Sequence, residues 1–340
     1  MRFWQEIKRA VQPYYASSGS VLLIILLITG LLSIPPEQSE NGIAAPAKHS
    51  LASIPAPLEH LAAAESPSTA TPFAANPSWS QNFTIMKDGP LSSGTWGYDL
   101  GNGGPDNPGW GNDEDEYYTD DPGNARIENG QLIIEARKQS AGGFNYTSAR
   151  ITTVPSLNFT YGKLDIIAKL PAGVGSWPAL WLLPSGTKYA LTTPAAEQDP
   201  NNYLRDGEID MLEATGSIPG QITSSAHSYT YNLRNNNERI ATSNVNDDTT
   251  TFHDYELQWT PTSLVFLVDG VAYHAVNKAA ADTPDAWPYN QPYYLILNIA
   301  MGGTEGGTET QQYPPYGIDD SSGPWQMAVK SINYYPYTGS

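Results

Sequence analysis

Cysteine is absent from the 340-residue chain, which excludes a disulfide framework and a thiolate metal site. Export remains open to such a chain, because a domain large enough to bury a full core needs no disulfide. Basic residues are scarce: 17 Lys and Arg stand against 35 Asp and Glu, a formal net charge of -18. A surface that acidic repels phosphate backbones and anionic headgroups, so no nucleic-acid partner is expected and a neutral polymer fits better. Charged residues of either sign make up only 15%. Long helical patterns are missing, and no internal repeat is present.

What is plentiful is Tyr (21), Trp (9), Gly (30) and Pro (28). Aromatic, turn-rich chains with few charges read as all-β. From Trp79 onward, short apolar or alternating runs are separated by Gly, Asn, Asp and Pro clusters. Examples are residues 131–136, 162–168, 255–259 and 264–268, the last followed by Asp269-Gly270 and residues 271–274. That dipeptide is a strong two-residue hairpin signal. A β-sandwich or jelly roll over residues 79–340, as one domain, accounts for the pattern. Most of the aromatic residues must serve packing, and some can stack on the apolar faces of sugar rings.

The start of the chain has a different texture. Residues 1–20 form a basic tail carrying Arg2, Lys8 and Arg9, and 21–34 contain the apolar run Val21-Leu22-Leu23-Ile24-Ile25-Leu26-Leu27-Ile28. A basic start before an apolar run directs export. The run is shorter than the roughly 20 residues of a spanning helix, so a cleaved signal and a retained N-terminal membrane anchor both stand, and the expected location is secreted, periplasmic or cell-surface. Residues 35–78, rich in Pro, Ala and Ser, read as a linker.

The segment Asp206-Gly207-Glu208-Ile209-Asp210-Met211-Leu212-Glu213 carries the chemistry. Strand alternation puts Glu208 and Asp210 on one face, and one extra residue in a β-bulge at Met211-Leu212 would bring Glu213 onto it. Crowded, partly buried carboxyls raise one another's pKa, so one Glu can stay protonated while the other is ionised. Glycoside hydrolysis needs that division, with carboxyls about 5–5.5 Å apart for retention and about 6.5–9.5 Å for inversion. A solvated acidic strand face or a cation site on the three acids is the alternative.

At this point the sequence resembles glycoside hydrolase family 16, in particular its laminarinase-like endo-β-1,3-glucanases. The likeness runs in order through Gly109-Trp110-Gly111-Asn112-Asp113-Glu114 with Tyr117-Tyr118-Thr119, then residues 147–153, 175–183, the Glu208–Asp210–Glu213 motif, and Leu297-Asn298-Ile299-Ala300-Met301-Gly302-Gly303. It implies a concanavalin-like β-jelly-roll sandwich of two curved antiparallel sheets with a concave substrate cleft. It implies Glu208 as nucleophile, Glu213 as general acid/base, Asp210 as the residue tuning the nucleophile, retention of configuration and a β-glucan polysaccharide as partner. No cofactor is expected for catalysis, and a monomer is expected.

Further cleft candidates are Trp177 and Trp181, an even number of residues apart on one strand, for stacking on glucosyl units. Arg150 is a fixed cation suited to gripping hydroxyls. Asn112 and Glu114 match the family's cleft-edge polar residues, and His227 on the next strand neighbours Glu213 and the leaving sugar. Two departures from the family stand out. Asp115-Glu116 replaces Leu-Gln, adding negative charge near the cleft edge. Lys330 stands where relatives commonly carry Asp near a structural calcium, which puts that calcium in doubt. Transglycosylation on the same glucans, and a non-catalytic β-glucan-binding recognition protein on the same fold, are the competing readings; relatives of the second kind typically lack the catalytic acids present here.

Overall fold

The computed structural model describes residues 72–105, 107–186, 199, 201–306 and 317–339. The basic tail, the expected signal or anchor at 21–34 and residues 35–71 of the expected linker lie outside the described residues. The strands are β1 (Trp79–Asn82), β2 (Gly97–Tyr98), β3 (Glu116–Tyr118), β4 (Ala125–Glu128), β5 (Gln131–Ala136), β6 (Tyr146–Ser148), β7 (Arg150–Thr152), β8 (Gly162–Lys169) and β9 (Ser176–Pro184). They continue with β10 (Glu208–Ala214), β11 (Gln221–His227), β12 (Arg239–Asn244), β13 (His253–Thr260), β14 (Ser263–Val268), β15 (Val271–Asn277), β16 (Tyr293–Met301) and β17 (Trp325–Tyr335).

Two antiparallel sheets result. One runs β15-β14-β13-β8-β17-β5-β4 with β1 beside β17, and the other runs β12-β11-β10-β9-β16-β7-β2. The jelly-roll expectation holds, with one addition that alternation does not foreshadow: β3 and β6 pair as a separate parallel ladder. Asp269 and Gly270 join β14 to β15 with φ of 51° and 77°, the positive values a two-residue type I′ hairpin needs at both positions.

The core between the sheets follows from the period-2 strands. In β8 and β13 alternate residues are buried, so Leu164, Ile166 and Ala168 meet Tyr255, Leu257 and Trp259 in one apolar cluster. Trp259 anchors it, with edge-on rings from Phe159, Tyr161 and Tyr293 at 5.8, 5.5 and 5.3 Å and its indole N–H donated to the Tyr289 carbonyl at 3.2 Å. Strands β9 and β16, central in the second sheet, are covered on both faces. Leu180, Leu182, Leu295 and Leu297 point into the core; the opposite face of these two strands belongs to the site described next.

The ladder reaches back before β1. Ser78 N–H donates to Tyr334 O at 2.9 Å, Ala74 N–H to Pro336 O at 2.8 Å, and Thr338 N–H to Pro72 O at 2.8 Å. Residues 72–78, which composition assigns to the linker, therefore run alongside the end of the last strand.

Trp259→Ala removes the ring on which three others pack and should cost about 3–5 kcal/mol. Urea unfolding of the variant should show a lower midpoint with an unchanged slope.

Candidate active site

Strand β10 is held at its entrance by a close approach that only glycine allows. Gly207 has φ +82°, and a Cβ there would lie 2.5 Å from the Tyr293 hydroxyl. That hydroxyl donates to Asp206 O at 2.7 Å. Beyond it the expected bulge is present. Against β9, Asp210 pairs with Trp181 and Leu212 with Leu180; against β11, Asp210 pairs with Ser225 and Glu213 with Thr223. Met211 and Leu212, consecutive in sequence, both enter the core. Glu213 is thereby brought onto the face of Glu208 and Asp210, as one extra residue requires.

The electrostatics of this row are set by burial. Asp210 is 3% exposed; its Oδ2 accepts the Ser225 hydroxyl at 2.7 Å and lies 3.0 Å from His227 Nε2. The other ring nitrogen of His227, Nδ1, lies 3.3 Å from Glu238 Oε1. Burial by itself would lower the histidine's pKa, but the hydrogen bond and charge of Asp210, with Glu208 and Glu238 behind it, push it up to about 10. His227 is thus an imidazolium between two carboxylates, with both N–H groups used.

Burial first, then the Asp210 charge, pushes Glu208 up to about 7, while the His227 and Arg150 cations pull it back. Burial, Asp210 and Glu305 hold Glu213 well above the ordinary carboxyl range, and Trp177 Nε1 donates to its Oε1 at 3.1 Å. Glu208 is the Glu closer to ionisation and Glu213 the one that keeps its proton, an ordering the sequence argument from charge leaves open.

A hydrogen-bond chain runs from this row across the sheet. Trp181 Nε1 donates to Asn298 Oδ1 at 2.8 Å, Asn298 Nδ2 to the Tyr118 hydroxyl at 3.0 Å, and that hydroxyl to Glu114 Oε2 at 3.2 Å. Asn112 Nδ2 donates to Glu114 Oε1 at 3.1 Å. The Arg150 guanidinium lies 4.3 Å from the Trp110 ring and 4.7 Å from the Trp181 ring, with its Nε on Asp99 at 2.9 Å.

All nine residues singled out from the sequence therefore fall in two connected groups. Trp177 and His227 join the acid row; Trp181, Arg150, Asn112 and Glu114 join the network beside it. Arg150 is 8% exposed, engaged by Asp99 through its Nε, and braces the aromatic wall of Trp110 and Trp181. One detail differs from expectation. Glu116, expected to charge the cleft edge, is wholly enclosed. Sequence reasoning passes over Trp110, Ser225, Glu238 and Glu305. Ser225 had a signal, two residues before His227 on one strand. Trp110 sits at φ +52° in a glycine-rich loop, and Glu238 and Glu305 lie outside the strands, where spacing says nothing.

Among the described residues, two groups bring potential ligand atoms close enough to hold a cation, Glu208–Asp210–His227 and Asp165–Asp254–Glu256. In the first, a protonated imidazole has no lone pair for a metal. In the second, the Lys163 ammonium stands 3.0 Å from Glu256 and 3.5 Å from Asp165, supplying positive charge itself. The Lys330 ammonium lies 4.0 Å from the Phe252 ring centroid.

A two-sheet jelly roll bearing a bulged strand of unequally protonated carboxyls, walled by indole rings and a hydrogen-bonded polar chain, is built as a glycoside hydrolase. The sequence pattern of Glycosyl hydrolases family 16 matches residues 112–321, and the chain belongs to that family. It is 37% identical over 249 residues to a beta-glucanase of Rhodothermus marinus, covering 71% of this chain and 78% of that one. The crystal structure of the laminarinase from Rhodothermus marinus superposes with a TM-score of 0.67 at 35% identity, over 77% of this chain and 97% of that one. A non-specific endo-beta-1,3(4)-glucanase of the same family superposes with a TM-score of 0.65 at 31% identity, over 77% and 91%.

Because the folded protein holds the His227 proton more tightly than the ordinary value of 6.5, the stabilisation it gives is complete below about pH 6.5 and is lost as pH rises through about 10. The urea-midpoint advantage of wild type over His227→Gln should shrink steadily across that window. Glu238→Gln should lower the imidazolium pKa read by NMR, since one of its two carboxylate partners becomes neutral.

Proposed function

We propose that the protein hydrolyses β-1,3-glucan of the laminarin type internally, and mixed-linkage β-1,3-1,4-glucan as well, by double displacement with retention. The observation that carries this reading is the bulge in β10, which sets three carboxyls on one face with Glu213 protonated when Glu208 is ready to ionise. Glu213 gives its proton to the glycosidic oxygen as the Glu208 carboxylate attacks the anomeric carbon, and a glycosyl-enzyme forms. Ester formation removes the charge on Glu208, which is one of the influences holding the Glu213 pKa up. Glu213 then accepts a proton from water, which attacks the same carbon and releases Glu208.

Asp210, held by Ser225 and His227, fixes the position and charge beside the nucleophile. The substrate linkage follows the relatives named above; the Trp181 ring beside Asp210 suits a glucosyl face. A recognition protein without catalysis would have no use for a carboxyl row kept at such electrostatic cost. Export fits the same reading, since a polysaccharide does not enter the cytoplasm intact. The basic residues Arg2, Lys8 and Arg9 before the apolar run at 21–28 supply the address.

Glu208→Gln should abolish oligosaccharide release from laminarin and from barley glucan. Glu213→Gln should lower it by about 10²–10⁴-fold, the worth of a general acid. With an aryl β-glucoside, whose leaving group needs no proton, Glu213→Gln should still release a burst of phenol while Glu208→Gln should not. Product release by Glu208→Gln at the wild-type rate would overturn the assignment.

A further inference from the structure

Glu116, at the start of β3, is a group the mechanism does not use. Its side chain has no exposure. Oε2 accepts the Met301 N–H at 2.6 Å. Oε1 is enclosed and meets no N–H or hydroxyl donor; the carboxyl that interacts with Glu116 is that of Glu114, two residues earlier and itself 6% exposed. Two ionised carboxylates offer only acceptors, so a hydrogen bond between them requires a proton on one. Enclosing both as anions would carry the full cost of buried, uncompensated charge.

The surroundings decide which oxygen bears the proton. Both Glu114 oxygens already accept, from Asn112 and from Tyr118, and the Arg150 cation favours charge on Glu114. Glu116 has a backbone donor on one oxygen and no donor on the other. Burial and the Glu114 charge accordingly hold Glu116 well above the ordinary carboxyl range.

We infer that Glu116 is kept as a neutral carboxylic acid donating its proton to Glu114, and that this pair positions the Trp181 ring in the cleft through Tyr118 and Asn298. With Glu114 ionised, the Tyr118 hydroxyl must donate to it, so its oxygen is free to accept from Asn298 Nδ2. The Asn298 amide is then oriented with Oδ1 toward the indole N–H of Trp181. Every donor in the chain has one direction, and the charge on Glu114 sets it. Ionising Glu116 would enclose two like charges and loosen the chain from that end. The charged and titratable groups facing the pair are Arg150 from β7 and Tyr118 from β3, while β16 contributes the Met301 N–H. Glu116 is thus a positioning residue, acting on substrate binding through the ring.

The protonation half of this inference stands without any assigned reaction, and the positioning half rests on the glucanase reading. Infrared difference spectra of wild type against Glu116→Gln at pH 7 test the first: a carboxylic-acid carbonyl band, shifted in D2O, should be present in wild type and lost in the variant. Its absence from the difference spectrum overturns the inference whatever the substrate is. Laminarin kinetics test the second. Gln copies the neutral acid, with an N–H for Glu114 and a carbonyl for Met301, so its KM should stay near wild type at pH 6 and remain flat on the alkaline side where the wild-type KM rises. Glu116→Leu, lacking the donor, should raise KM about tenfold with a smaller change in kcat, and Gln at the same position should restore it. An alkaline rise in KM of equal size in wild type and Glu116→Gln would overturn the positioning role, and this comparison holds even where the Leu variant fails to fold.

Discussion

One extra residue in β10 is the constraint on which the site depends. A strand alternates strictly, so acids at positions 208, 210 and 213 cannot share a face unless a residue drops out of register. The bulge does this by sending Met211 and Leu212 into the core together. The apolar side of the sheet thereby fixes the polar side: the burial that two adjacent large side chains gain resists any slip returning Glu213 to the wrong face. The acid row is as firmly set as the core beneath it.

Around that row, charge is arranged by contrast. Asp210 and Glu238 share one imidazolium, and Arg150 is placed between two indole rings with its Nε on Asp99. Each cation thus has partners close to where it sits, and neither neutralises the two Glu residues completely. Their pKa values are left raised and unequal, as acid and nucleophile roles demand. A more generous supply of positive charge would ionise both Glu residues, and the division between donor and attacker would be lost.

The strand pattern was legible because alternation and turn dipeptides are local: β5 matches the run at 131–136, and Asp269-Gly270 is the hairpin it looks like. The bulge could be inferred as well, since the 208–210–213 spacing makes sense in no regular strand. Glu238 reaches the site from a loop and Glu305 from the four-residue helix Gly303–Gly306, where no strand periodicity says which way a side chain points. The Arg150 bracing was hidden for another reason. Its ring partners come from residues 110 and 181, and its acid from residue 99, so the role exists only once the loops have closed over β7. Residues 72–78 read as linker by composition because backbone pairing, which needs no particular side chains, does most to place them; Phe73, buried against the Tyr337 ring, is the one side chain that adds to it.

That last pairing has a practical meaning. Phe73 bridges Tyr337, and Thr338 donates to Pro72, so the chain enters and leaves the catalytic fold at the same corner. The carboxyl row belongs to β10, in the other sheet from β1 and β17. Such a unit can be spliced into a longer polypeptide, or its ends joined and new ones cut elsewhere, without dragging the cleft out of shape. The enzyme is in that sense a cassette, with its two connectors side by side and its working surface carried on different strands.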